Sequence, residues 1–434
     1  MSYPRYPAYK DSDVEWLGEV PEHWGVSPLF AMMNEREEKN TGNLEQNVLS
    51  LSYGRIIRRD VESNFGLLPE SFETYQILYP GDIVLRLTDL QNDHRSLRVG
   101  AVQERGIITS AYVGLRPSSS IDSRFVFYLL NGYDLLKVFY GFGGGVRQSM
   151  NFKDLRRLPL LMPPLPEQRA IAAFLDGETA RIDALVAKQE ALIALLQEKR
   201  KAVISHAVTK GLNADAPMKD SGVAWLGAVP AGWDVQPLKR IARRIDVGIA
   251  AAAVHAYADS GVPILRSMNV RPNLIGGELI YITDDFAEQN KSKYLFAGDI
   301  LTVRTGHAGV SAVVPAHLDR SHCFTMLMTT LSVSAIPEYI CQYMNCAPAI
   351  AHFQSEGWGA AQPNISVPIL QMLSVPVPPI KEQQQIVAYL DHETARIDAL
   401  IAKAEQFIER LREHRTALIA AAVTGKIDVR TLTP

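Results

Sequence analysis

Five side chains of the second half, His317, His322, Cys323, Cys341 and Cys346, are of the types that hold zinc. Their spacings match no common ligand pattern, so they read as buried thiols and ordinary histidines, and no metal site is expected. Glu37-x-Lys39 is a minimal echo of the carboxylate-and-lysine set of a metal nuclease. It lies inside the acidic run Glu35 to Glu38, however, and reads as a solvated or partner-facing surface. A methyltransferase acting on an amino nitrogen needs a polar residue before a Pro-Pro pair and an aromatic after it to hold the flipped base. Met162-Pro163-Pro164-Leu165 and Val377-Pro378-Pro379-Ile380 have neither. The cluster Gly141, Gly143, Gly144 and Gly145 lacks the Lys-Ser/Thr that turns a glycine loop into a phosphate cradle, and reads as a flexible loop. No Ser/His/Asp or Cys/His signature stands out. The residues assign no reaction to this chain, and a non-catalytic role is expected.

The 434 residues, 47% hydrophobic and 21% charged, are enough for two or three globular domains. A net charge of −3 excludes a uniformly basic nucleic-acid coat or a polybasic membrane binder, so any DNA binding must come from local patches. Within residues 1–160, 14 of the 18 basic residues are Arg, among them Arg55, Arg58, Arg59, Arg86, Arg95, Arg98, Arg105 and Arg116. Arg forks onto phosphate and reads guanine bidentately, whereas a merely solubilising surface would draw equally on Lys. Three cysteines without a C-x-x-C pair suit a reducing compartment. No apolar run approaches the roughly 18 residues of a membrane span, and Met1 to Lys10 lack a signal-peptide core. A cytoplasmic location is expected.

The elements that must position these groups are written twice. Asp11 to Leu29 recurs as Asp220 to Leu238 with 12 of 19 positions identical. Pro163 to Thr209 recurs as Pro378 to Thr424 with 28 of 47 identical. Both longer copies begin at a Pro-Pro pair, end near Gly211 and Gly425, and carry apolar residues at alternating steps of three and four. In the first copy these are Ile171, Leu175, Ile182, Leu185, Leu192, Leu196 and Val203, with Glu178, Gln189, Lys199 and His206 filling the remaining slots. In the second they are Ile386, Leu390, Ile397, Leu400, Phe407, Leu411 and Leu418. Each reads as a helix of about 64 Å, and two equal helices with a domain between them suit an antiparallel intramolecular pair.

Between the repeats the halves barely resemble each other, save for echoes such as Gly81-Asp82-Ile83 with Gly298-Asp299-Ile300. Strands are predicted at Val48–Tyr53, Ile83–Leu87 and Ile107–Leu115, and again at Ile264–Met268, Ile300–Arg304 and Thr325–Val333. Amphipathic helices follow near 124–139 and 338–353. The expected fold is α+β: two globular mixed α/β domains separated by a long antiparallel two-helix coiled coil, as a pseudo-twofold internal repeat. The expected blocks are residues 1–160, 161–212, 213–376 and 377–434. Trp16, Trp24, Trp225 and Trp233 read as core or helix-packing anchors.

The repeated D-S-x-V-x-W-L-G-x-V-P opening, the P-P-[LI]-x-E-Q…L-D-x-E-T-A-R-I-D-A-L helices and the Val208-Thr209 and Val423-Thr424 ends resemble the specificity subunit of type I restriction-modification enzymes. The resemblance implies a non-catalytic reader of double-stranded DNA, with two target-recognition domains each binding one half of an asymmetric bipartite target. It implies that the helices set the spacer and dock two methyltransferase subunits, and that restriction subunits with motor and nuclease join them. No cofactor is then expected on this chain; S-adenosylmethionine, ATP and Mg belong to partners, and no membrane is involved. DNA contacts are expected from Arg55, Arg58, Arg59, Arg86, Arg95, Arg147 and Gln148 in the first domain, and from Arg266, Asn269, Lys293, Arg304 and Gln362 in the second. The alternative is a stand-alone DNA-binding scaffold or regulator uncoupled from modification.

Overall fold

The structure, a computed structural model, describes residues 3–60, 71–93, 96–141, 149–250, 254–356 and 364–432. Two compact units emerge, residues 1–190 with 405–434, and residues 191–404. Each repeated helical block forms one unbroken helix, at Leu165–Lys210 and Ile380–Val423, and each helix contributes to both units.

The first unit is built on a four-stranded antiparallel sheet of β1 (Met33–Glu35), β2 (Ile83–Leu85), β3 (Val99–Ala101) and β4 (Val113–Pro117), in the order β1-β4-β2-β3. The second carries β5 (Ala242–Val247), β6 (Ile300–Thr302), β7 (Ser311–Val313) and β8 (Leu327–Leu331), also antiparallel, in the order β5-β8-β6-β7. The strand order is the same although the sequences have diverged. The retained Gly-Asp-Ile echo shows what holds it. Gly81 and Gly298 take φ of +91° and +87°, which a residue with a Cβ rarely adopts. The next residue, Asp82 or Asp299, is buried and paired with an arginine from the first strand region, Arg36 at 2.8 Å or Arg244 at 2.9 Å. The same carboxylates accept from the backbone N–H of Tyr79 (2.8 Å) and Phe296 (2.9 Å), and those two rings cover the guanidinium groups. A buried charge is tolerable only when it is paired and hydrogen-bonded. Arg36 grips Asp82 through both Nε and Nη2, whereas Arg244 reaches Asp299 through Nη2 alone and its buried Nε has no partner among the described residues.

Strand Ile107–Leu115 proves to be two strands, Gly106–Ile108 and β4, split by a turn at Thr109–Tyr112 and placed in different sheets. The single helix expected near 338–353 is two, Pro337–Met344 and Ala347–Glu356. Asn345 turns its amide back onto Cys341 O and Ser311 O there, and Pro348 has no N–H to continue the first helix. A second four-stranded sheet in this unit, of Tyr257–Ala258, Val262–Leu265, Ile280–Ile282 and His322–Cys323, had no predicted counterpart beyond Ile264–Met268.

The repeated P-P-x-x-E-Q motif joins helix to domain. Gln168 donates to Pro163 O (2.9 Å) and accepts from Asp122 N (2.8 Å), the residue that caps the helix Ser123–Leu135. Gln383 donates to Pro378 O (2.8 Å) and accepts from Ile336 N (2.8 Å), the residue before the helix Pro337–Met344. Both glutamines are at most 1% exposed. Beside Gln168, Glu167 receives Tyr6 Oη (2.6 Å) and Trp24 Nε1 (3.0 Å), whereas Trp233 Nε1 has no partner in the second unit. The chain's first and last described segments also meet in the first unit, through Asp428 N to Pro4 O (2.8 Å) and Tyr9 Oη to Gly425 O (3.0 Å).

Within each unit the two long helices run antiparallel: Asp183 faces Arg415 and Glu190 faces Arg412 in the first, and Arg200 faces Asp398 in the second. Ile171, Leu175, Ile182, Ile386, Leu390, Ile397 and Leu411 are buried, and Leu185 and Leu196 are half-buried. Leu192, Leu400 and Phe407 are instead 42–43% exposed. The seam leaves the expected register after Ile397, stepping by four to half-buried Ile401 and on to buried Ala404 and Ile408. Among the described residues no helix is long and apolar enough to cross a membrane.

Replacing Gln168 with Leu leaves Asp122 N and Pro163 O without their partner, at about 1–3 kcal/mol for each buried group left unpaired. The urea midpoint of the full chain should fall, with early loss of the Tyr133 and Trp24 environment by near-UV dichroism. An unchanged midpoint would contradict the bracket role.

Candidate nucleic-acid interface

In the first unit the chain leaves β2 at Leu85 and enters a loop that returns at Leu97. Arg98 organises it from inside. Its side chain is fully buried, and the guanidinium donates to the carbonyls of Arg86 (3.1 Å), Thr88 (2.8 Å), Asp89 (3.3 Å) and Asp93, and to Tyr140 Oη (2.9 Å). Asp134 accepts from Arg98 N at 2.7 Å, and burial holds its carboxyl above the usual range. The loop is tied to the end of the glycine-rich segment by Met150 N to Leu87 O (2.9 Å).

The second unit repeats this construction with other residues. Beyond β6 the chain turns through Arg304 to Gly309, closed by Val303 N to Val310 O and Gly309 N to Val303 O. Ile365 N reaches Arg304 O (3.0 Å), at the position that Leu87 holds in the first unit, and Arg304 Nε donates to Asn364 Oδ1 (2.9 Å). Each unit therefore brings a loop after its central strand against a segment entering its last short helix. The groups displayed are those that read base edges: Arg86 with exposed Gln91 and Asn92 in one, Arg304 with exposed Thr305 and His307 in the other. Arg86 is only 3.9 Å from Asp93 and one-third exposed, a loose pair that a phosphate or guanine can displace.

Of the residues expected at DNA, Arg86 and Arg304 thus occupy equivalent loop pairs. Arg95, Arg147, Gln148 and Gln362 lie outside the described residues. Arg55, Arg58 and Arg59 belong to a separate hairpin and its edge, where Arg55 meets Asp183 (3.1 Å) and Arg58 meets Glu104. Lys293 pairs with Asp246 at 2.6 Å. Arg266 turns Nη2 toward Glu278 O (3.5 Å). Asn269 is 1% exposed and its carboxamide is used up on Arg266 N, Gly276 O and Glu278 O, so it shapes a turn and presents no edge for reading. Arg98, one of the arginines that the composition singled out, is likewise structural. Gln91, Asn92, Thr305 and His307 escaped the sequence reading. Their signal was adjacency to Arg86 and Arg304 just past a buried strand.

Trp24 and Trp233 are buried anchors, while Trp16 packs edge-on against Tyr133 and Trp225 stacks on His352. The three cysteines are free and buried, and burial pushes Cys346 up to about 11 and Cys323 to about 12. Among the described residues no group of three His, Cys, Asp or Glu is placed to hold a metal ion.

Residues 252–410 match the family described as type I restriction modification DNA specificity domain. The chain is 23% identical to the type I restriction enzyme EcoKI specificity subunit of Escherichia coli, over 95% of this chain and 91% of that one. It is 22% identical to the MjaVIII specificity subunit of Methanocaldococcus jannaschii, over 76% of each. The fold matches a chain solved in work on complex assembly and conformational transition of the type I R-M system, with a TM-score of 0.70 at 15% identity, covering 93% of this chain and 98% of that one. It also matches the HsdS subunit from Thermoanaerobacter tengcongensis, with a TM-score of 0.56 at 16% identity, covering 94% and 98%.

Replacing Arg98 with Met removes the donor for four loop carbonyls. Hydrogen exchange in residues 86–93 should accelerate by at least tenfold while residues 303–309 stay unchanged; equal protection in both loops would refute the organising role.

Proposed function

We propose, on the premise that the chain belongs to the type I restriction-modification specificity family, that each compact unit reads one half of a split, asymmetric DNA target. The chain is the DNA-recognition component and not the catalyst. The observation that carries the reading is the same loop pair on the same strand order in both units, filled with different side chains. Equivalent scaffolds bring equivalent loops to the duplex, and different side chains ask for different bases. The paired helices fix the unspecified spacer and dock two methyltransferase subunits, which hold S-adenosylmethionine. Restriction subunits, with ATP and Mg, complete a cleaving assembly in the cytoplasm. Net charge fits this division of labour: the chain at −3 supplies base readout, and bulk attraction to phosphate comes from partners that wrap the DNA.

The half-sites separate the two loop pairs experimentally. Arg86→Ala should weaken binding of the assembled methyltransferase to its target by roughly 1–3 kcal/mol and relax sequence choice in one half. Arg304→Ala should relax only the other half. Genome-wide mapping of methylated adenines in cells carrying each variant reads both outcomes. Unchanged sites and unchanged occupancy in both variants would refute the assignment.

A further inference from the structure

The strands Leu49–Ser52 and Arg55–Arg58 form a hairpin closed by only two residues, Tyr53 and Gly54, since Ser52 pairs with Arg55. Both have positive φ, +47° and +77°, the signature of a type I′ turn. Such a turn favours Asn-Gly or Asp-Gly, because the first central residue must enter the left-handed region where a bulky side chain is strained. Tyrosine stands there nonetheless. Its ring is not repaid by packing, for Tyr53 is 85% exposed. A strained, exposed aromatic at the tip of a ribbon is explained by what the ring touches outside the chain.

Its neighbours say what that is. A Cβ added to Gly54 would lie 3.0 Å from Leu97, the residue at which the Arg98-organised loop returns to the sheet. The hairpin's strand Arg55–Arg58 also lies against β3, where Gly100 leaves no room between Leu51 and Ile56. The turn is therefore fixed beside the loop carrying Arg86, Gln91 and Asn92. Arg55 adjoins the turn and Arg58 lies at the other end of the same strand, opposite Leu49. Their side chains are 74% and 71% exposed, in pairs with Asp183 and Glu104 that are weak in water and exchangeable for phosphate.

We propose that Tyr53 is a further DNA-contacting residue of the first unit, stacking on a base or wedging at a base step next to the half-site while Arg55 and Arg58 take the flanking phosphates. A two-stranded ribbon is narrow enough to enter the major groove, and every base offers a π-face to such a ring. The proposal rests on the DNA-reading function above and names a contact that the family match does not supply.

The test uses the full chain assembled with its methyltransferase partner and a duplex carrying the target mapped by methylation, with 2-aminopurine placed in turn at positions of the first half-site and its flank. Tyr53→Phe should bind as wild type and perturb 2-aminopurine fluorescence at one position. Tyr53→Asn suits the left-handed turn, so it should unfold at the same or a higher temperature yet bind roughly 5- to 100-fold more weakly, without the fluorescence change. A Tyr53→Asn complex that binds as tightly as wild type, with the same fluorescence response, would overturn the proposal while leaving the DNA-reading function intact. A wild-type complex with no preference for the mapped duplex would instead overturn the function on which it rests.

Discussion

Everything in this chain depends on a buried carboxamide used twice. Gln168 and Gln383 sit in the first turn of the two long helices and spend both ends of the side chain, one on the proline carbonyl that starts the helix and one on the N–H at the start of a domain helix. A side chain with one donor and one acceptor so engaged fixes position and direction together, and no apolar contact can do that. The variable part of each unit can then diverge without losing its mounting. The buried Arg36–Asp82 and Arg244–Asp299 pairs serve the same end inside the sheets, holding strand order while surrounding residues change.

The consequence for function is a separation of frame and content. The frame consists of the paired helices, the Gln brackets, the ion pairs and the strand order. On the proposed reading, content sits in loops such as 86–93 and 303–309, which begin immediately past a buried strand and are pinned by backbone bonds to Met150 and Ile365. Reading loops set on a rigid base can be re-sorted by substitution at low structural cost, because Gln91, Asn92, Thr305 and His307 are exposed while Leu87, Leu90 and Val303 anchor the loops from behind. Arg98 is the exception in kind, a charged residue drawn inward to hold the loop.

Much of the frame was legible in the residues. The duplicated blocks, the Pro-Pro starts and the glycine ends place both helices to within a few residues, and the Gly-Asp-Ile echo marks the equivalent strands. Other features resisted for physical reasons. A heptad count cannot reveal where the buried stripe shifts to a neighbouring position, as it does from Leu400 to Ile401 and from Phe407 to Ile408, so Leu192, Leu400 and Phe407 fell off the seam. The apolar run at Ile107–Leu115 hid a turn because Thr109 to Tyr112 carries no glycine or proline. Arg98 and Asn269 have the composition of readers and the burial of scaffolding, a distinction that only tertiary contacts make.

The separation of frame and content is tested most directly by exchanging content alone. Residues 239–373 would be replaced by a second copy of residues 30–158, leaving both helices and both glutamines in place, with the copied Asp122 N standing where Ile336 N met Gln383, and methylated adenines would be mapped in cells carrying the chimera. Two identical readers on one frame should select a target with the first half-site repeated in inverted orientation and the original spacer. Retention of the original second half-site, or a changed spacer, would contradict the claim that each unit reads its own half while the helices set only the distance.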